Sequence, residues 1–239
     1  MTLDAVIADN LRAVRTRIHA AARRVSRDPD DVTLVAVSKT FPSDDVRAAA
    51  AAGQIDFGEN KVQEGLQKIA ETADIRLRWH LIGHLQSNKA RRAAAQFACI
   101  HSIDSVDLLE RVDSAAVNTG SSPDVLVQVD LAGEETKFGA PADAARRIVD
   151  AALAAKAVKL AGLMIVPPWN EDQEQTRPWF TQLRELRDQW VGSGIAAKSL
   201  RHLSMGMSHD FEAAIEEGST LVRVGTAIFG KRTYKEPHV

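Results

Sequence analysis

The chain has 239 residues, 45% hydrophobic and 26% charged, with a formal net charge of -2 at pH 7. These are the proportions of an ordinary globular protein with apolar mass for a sizeable core, and they exclude extended disorder and a basic nucleic-acid-binding field. No stretch approaches the roughly 18 apolar residues of a membrane span, and the only cysteine, Cys99, forbids an intrachain disulfide.

In chain order, Leu3, Val6, Ile7, Leu11, Val14 and Ile18 recur at threes and fours. The spacing predicts an amphipathic helix to about Arg24. Its mixture of acidic, basic and apolar residues is unlike a signal peptide, so a cytoplasmic protein is expected. Short β-branched runs then alternate with alanine-rich or charged helical stretches, the rhythm of βα units and a parallel sheet. Candidate strands lie at Val32 to Ser38, Ile55 to Gly58, Leu77 to Ile82, Cys99 to Ile103, Val125 to Leu131, Lys159 to Val166, Ser199 to Ser204 and Leu221 to Val224. Ser43 with Asp44 and Asp45 reads as an N-cap and acidic first turn, Gly53 as a C-cap, Pro141 and Asp143 as a helix start, and Gly218 as a helix end. The pairs Arg23-Arg24 and Arg91-Arg92 read as solvated helix faces. No linker or internal repeat divides the chain. The expectation is a single (β/α)8 TIM barrel over 1–239, with an N-terminal helix over 1–26 and a tail over 231–239; an open doubly wound sheet is the alternative.

In such a barrel the site lies at the C-terminal strand ends, and phosphate is often held by the loops after strands seven and eight. Strand one ends in Lys39, after the apolar run TLVAVS. A lysine there either snorkels to water or projects into the barrel mouth. The stretch HLSMGMSHDFEAAIEEG reads as a turn around Gly206 that lets backbone approach a ligand, with Ser208 capping the next helix or meeting an anion. LVRVGTAIFG places Gly225 and Thr226 at a second strand-to-helix turn, with Arg223 two residues before Gly225. Arg223 faces either inward or outward on the pattern alone. Closure puts Lys39 beside the Gly225-Thr226 turn, where low polarity and nearby cations lower an amine pKa and increase its nucleophilic form. Lysine, phosphate cup and arginine suit pyridoxal 5'-phosphate (PLP): aldehyde to Lys39, phosphate to the seventh and eighth loops, ring nitrogen to Arg223. A cofactor-free Schiff-base aldolase acting on a sugar phosphate would use similar parts.

Other strand ends add polar lining. Glu59 and Asn60 follow strand two, where Asn60 either reaches a ligand oxygen or caps the next helix. His80, His84, Gln86 and Asn88 surround strand three. With His101 they invite a metal reading, but the spacing matches no known zinc class, and no metal is expected. Lys137 and Gly139 after strand five read as a basic ligand contact or an ordinary loop, and Met164 as core.

The motifs VAVSKTFP, FGENKVQE, WHLIGHLQSNK, VDLAGEETKFG, GLMIVPP, LSMGMSHDFEAAIEEGST and VRVGTAIFG resemble, in order and over nearly the whole chain, the pyridoxal phosphate homeostasis proteins of the YggS or PROSC type. The resemblance implies a barrel like the N-terminal domain of alanine racemase with PLP held as a Schiff base on Lys39. It further implies Arg223 as partner of the ring nitrogen, Ser208, Gly225 and Thr226 as phosphate holders, Asn60 near the ring substituents, and Lys137 in cofactor handling. The implied role is keeping free PLP low and passing it on; PLP-dependent apo-enzymes are the expected partners, and a monomer is expected. An amino-acid racemase of the alanine racemase type is the alternative, with His80 or His84 as the second base. Racemases of this fold take that base from a tyrosine of an extra domain, whereas the single tyrosine here, Tyr234, lies in the tail. An arginine on the ring nitrogen also leaves the cofactor a poor electron sink. The two features favour a carrier over an enzyme.

Overall fold

The computed structural model describes residues 2–133 and 138–231. Among the described residues, eight parallel strands close into one barrel in sequential order. They are β1 (Thr33–Val37), β2 (Asp56–Glu59), β3 (Arg78–Leu81), β4 (Cys99–Ile103), β5 (Asp124–Gln128), β6 (Lys159–Met164), β7 (His202–Met207) and β8 (Leu221–Val224). The open-sheet alternative is excluded by the seam, where β1 pairs with β8 in the register Thr33 to Leu221 and Val35 to Arg223.

Between and around them run α1 (Leu3–Arg24), α2 (Ser43–Ala51), α3 (Val62–Glu71), α4 (Ala90–Gln96), α5 (Val106–Thr119), α6 (Ala142–Leu153), α7 (Arg177–Gly192), α8 (Phe211–Glu216) and α9 (Thr226–Phe229). Each longer helix buries one stripe; in α1 this is Ile7, Leu11, Val14, Ile18, Ala21 and Ala22. Covering that stripe holds α1 against α2, α8 and α9, over the β8–β1 seam. Arg17 to Glu212 at 2.9 Å and, just beyond its C-terminal end, Arg27 to the Ile215 carbonyl at 2.6 Å tie this segment to α8.

Alternation along the strands divides the apolar mass into two cores. Val35, Cys99, Leu126, Ala161, Met164 and Leu221 form the cluster inside the barrel, and the larger cluster joins the outer strand faces to the helices. Cys99 and Met164 are core residues as expected. Burial pushes the Cys99 thiol pKa up, which keeps it unreactive.

Several local expectations change. Ser43 is the first residue of α2, not its cap: Pro42 occupies the cap position and the Ser43 hydroxyl bonds Glu71. Strand seven lies three residues later than its pattern suggests, because Ser199 and Leu200 belong to a 3-10 turn, Ala197–Leu200. Gly206 is therefore inside β7, where the register with β8 shifts between Ser204 and Met207. Its φ of +93° favours glycine, and a Cβ there would meet Ala214 Cβ at 2.6 Å and Phe211 Cα at 2.9 Å. Gly206 thus lets α8 pack onto the strand, in place of the predicted approach to a ligand.

Candidate functional site

A cavity of about 470 Å³ opens at the C-terminal strand ends, within the range that holds small ligands. Lys39, Asn60, Ser208, Arg223, Gly225 and Thr226 all line it, together with Val37, Phe41, Ile82, Val166, Trp169, Met207 and His209. The first six come from behind or within β1, β2, β7 and β8, so closure is what assembles them.

Arg223 faces inward and is 4% exposed. Nη1 donates to Ser204 Oγ at 2.6 Å and Nη2 to the Ile165 carbonyl at 2.9 Å. Burial pushes its pKa down to about 10, so it stays protonated at neutral pH. The loops after β7 and β8 meet as the sequence predicts. Ser208 is no helix cap, since Asp210 holds that position. Its oxygen instead accepts from the Gly225 N–H at 3.1 Å and, more weakly, the Ala227 N–H at 3.5 Å. With both lone pairs engaged, the Ser208 O–H is left as a donor, the polarity an anion requires. A Cβ on Gly225 would lie 3.1 Å from the Val37 carbonyl, so its lack of a side chain lets the turn sit against β1.

Asn60 is not a helix cap either: Lys61 precedes α3, and Asn60 Oδ1 is buried with no partner among the described residues. An orphaned amide oxygen beside a cavity is an acceptor waiting for a ligand proton. Lysine, an anion-directed turn, a charged arginine and this amide fit the aldehyde, phosphate and ring of the expected cofactor.

Sequence reading overlooked the support beneath Lys39. Lys68 of α3, 4% exposed, donates to the Ser38 carbonyl at 2.7 Å, Glu59 Oε1 at 2.6 Å and Glu64 Oε1 at 2.9 Å. Ser38 Oγ donates to the same Glu59 oxygen at 2.6 Å, and the Thr40 N–H donates to Glu64 at 2.5 Å. Both neighbours of Lys39 are thereby clamped, with Thr40 held at a φ of +71°, an uncommon value for a β-branched residue. Burial lifts the Glu59 carboxyl above its usual pKa, opposed by Lys68. The sequence signal was the FGENKVQEGLQK spacing, which places Glu64 and Lys68 one turn apart.

The histidines go elsewhere. His80 does not line the mouth; it is buried inside the barrel, with Nε2 at 2.8 Å from Asp56 and Nδ1 at 3.0 Å from His101 Nε2. His84 stacks on Phe138, ring centroids 3.7 Å apart, and lies 3.4 Å from Asp104. The ligating atoms of His80, Cys99 and His101 fall within 4.8 Å of one another. A metal there would have to displace hydrogen bonds, since both nitrogens of each ring are engaged. Lys137 lies outside the described residues, as does Tyr234.

Residues 10–233 match the family model described as alanine racemase, N-terminal domain, so barrel and site define a protein of the alanine racemase barrel class. Two solved proteins of that fold, D-threonine aldolase from Filomicrobium marinum (16% identical, TM-score 0.73) and alanine racemase from Streptomyces coelicolor (22%, 0.67), align with 93–94% of this chain but only 59–60% of their own. Much greater likeness is found to pyridoxal phosphate homeostasis proteins. That of Pseudomonas aeruginosa is 44% identical over 97% of this chain and 98% of its own length, and that of Aquifex aeolicus 42% over 95% and 98%. PipY of Synechococcus elongatus, solved with PLP bound, is 40% identical with a TM-score of 0.82, covering 94% of this chain and all of that one. The chain belongs to the pyridoxal phosphate homeostasis protein family.

Proposed function

We propose that this chain binds pyridoxal 5'-phosphate through Lys39 and acts as a keeper and carrier of the cofactor, not as a catalyst. The observation that carries the reading is the convergence of Lys39, Asn60, Ser208, Arg223, Gly225 and Thr226 on one cavity. In it Ser208, Gly225 and Thr226 hold the phosphate, Asn60 accepts from a ring substituent, Arg223 donates to the ring nitrogen, and the Lys39 amine bonds the aldehyde. When bound, the cofactor supplies a carbonyl that traps amines and, with a protonated ring, an electron sink. Arg223 keeps a protonated guanidinium on that ring, which weakens the sink. A cytoplasmic monomer serving PLP-dependent apo-enzymes, with Lys137 assisting release, completes the proposal. The relatives' names support the homeostasis part of this reading.

The lining favours a carrier for a further reason. Among the described residues it contains no carboxylate, and its only imidazole is that of His209, whose Nε2 lies 2.7 Å from the Glu171 carbonyl. A two-base racemase needs a free base on the ring face opposite the lysine. The racemase alternative would have to use His209, since His80 and His84 do not line the cavity.

Adding PLP to purified protein, recording its visible absorbance before and after borohydride, and mapping the reduced peptide tests the proposal. A covalent adduct at Lys39, lost in Lys39→Ala, is expected. An adduct elsewhere, or none, would refute it. Exchange of the α-proton of alanine in deuterated water, abolished in His209→Gln, would favour the racemase instead.

A further inference from the structure

Below the cavity the barrel interior carries a polar row. Arg223, Ser204, His101, His80 and Asp56, from β8, β7, β4, β3 and β2, are each 7% exposed or less. Arg223 Nη1 lies 2.6 Å from Ser204 Oγ, Ser204 Oγ 2.9 Å from His101 Nδ1, His101 Nε2 3.0 Å from His80 Nδ1, and His80 Nε2 2.8 Å from Asp56 Oδ1. Asp56 also accepts from Arg78 at the opposite end of the barrel, at 2.8 Å from Nη2.

The two ends fix the direction of the terminal bonds, and the buried serine proton fixes those between. Arg223 has only donors, so Ser204 Oγ accepts from it. Burial opposes ionisation of Asp56, but hydrogen bonds from His80 and Arg78 outweigh it and hold its pKa below the ordinary value. Asp56 is then an acceptor only, and His80 Nε2 carries a proton. Burial, with the Arg223 charge nearby, holds His101 neutral by pushing its pKa well down. One ring nitrogen of His101 therefore donates and the other accepts. If His101 Nδ1 donated to Ser204, the fully buried serine proton would have no acceptor in the row. Reversing the row thus strands a hydroxyl, at a cost of about 1–3 kcal/mol. The consistent assignment runs Arg223 to Ser204 to His101 to His80 to Asp56, with both imidazoles neutral and protonated on Nε2.

We propose that Ser204, His101, His80 and Asp56 are positioning residues for Arg223, a one-way hydrogen-bond row that turns the serine lone pairs to the guanidinium and so aims its remaining N–H groups at the cavity. This rests on the reading that the cofactor ring nitrogen meets Arg223. The carboxylate at the closed end of the barrel thereby governs donor geometry at the open end, through groups that never touch the ligand.

Nitrogen NMR of the protein labelled in histidine, with and without PLP, tests the row directly. At pH 7, His80 and His101 are expected as neutral Nε2–H tautomers in both states. In Asp56→Asn the amide can donate as well as accept, so the His101 resonances should move although His101 does not touch residue 56. PLP affinity should fall about three- to ten-fold, the equivalent of one ordinary hydrogen bond. Ser204→Ala should weaken PLP to the same degree and Ser204→Thr restore it, which keeps the test open if Asp56→Asn fails to fold. An Nδ1–H tautomer or an imidazolium in the wild type, unmoved His101 resonances in folded Asp56→Asn, or full affinity in Ser204→Ala would each overturn the proposal. A wild-type protein that takes up no PLP would sink the cofactor reading, while the resonances measured without PLP still judge the row.

Discussion

Replacing Lys68 by methionine tests the clamp beneath the proposed cofactor lysine. Methionine keeps most of the apolar stem and removes the donors to Ser38, Glu59 and Glu64. Glu59, fully buried, would keep only the Ser38 hydroxyl, and its Oε2 already lacks a partner among the described residues. Breaking a buried ion pair from one side costs about 3–5 kcal/mol. At about 2–4 °C per kcal/mol for a chain of this size, the thermal midpoint should fall by about 6–20 °C. The loss carries a pH signature. Burial raises the folded pKa of Glu59 above its unfolded value, and removing the lysine raises it further. Such a group stabilises the fold when protonated, and that contribution is lost as pH rises through the folded pKa. Lys68→Met should therefore lose more at pH 8 than at pH 5, and the Lys68→Met/Glu59→Gln double variant should recover most of the loss at pH 8. Circular dichroism melts at the two pH values read all three outcomes. A midpoint shift below about 2 °C, a loss no smaller at pH 5, or a double variant no better than the single would refute the reasoning.

Gly206→Ala should lose about 1–3 kcal/mol from overpacking against Ala214 and Phe211, before its positive φ adds to the cost; a urea midpoint equal to wild type would contradict the packing described. Burial, with Arg201 beside it, lowers the pKa of His202 to about 4, and His101 is held lower than its ordinary value too. Imidazoles kept neutral in the fold contribute stability above their unfolded pKa and lose it as pH falls towards the folded value. The urea midpoint should thus drop between pH 6.5 and about 4, His202→Gln should flatten part of that slope, and a flat wild-type profile would count against it. Ser208→Ala should remove the hydroxyl donor at the proposed phosphate turn and weaken PLP by about ten-fold, measured by absorbance titration; unchanged affinity would take Ser208 out of the site.

What could be read from sequence follows the range of the physics involved. Strand positions came from local β-branched runs, and β4 and β8 match their predicted limits to the residue. β7 did not, because Gly206 and the following SHD look like a turn in sequence, whereas α8 packing turns that glycine into a bulge inside the strand. Arg223 could not be oriented until closure set Val35 opposite it. His80 and His101 were legible only as stray polar residues. Their partners, Asp56 and Ser204, lie on other strands, and no local period links residues 24 and 103 positions apart.

Trp169, 74% exposed, stands at the cavity rim with its ring 6.2 Å from that of His209. The other tryptophans, Trp79, Trp179 and Trp190, lie on or between the barrel wall and the helices. A chromophore seated in the cavity would drain excitation from the indole at its edge. Emission from the unlabelled protein therefore offers an optical gauge of filling and emptying, and Trp169→Phe shows how much of the signal belongs to the rim.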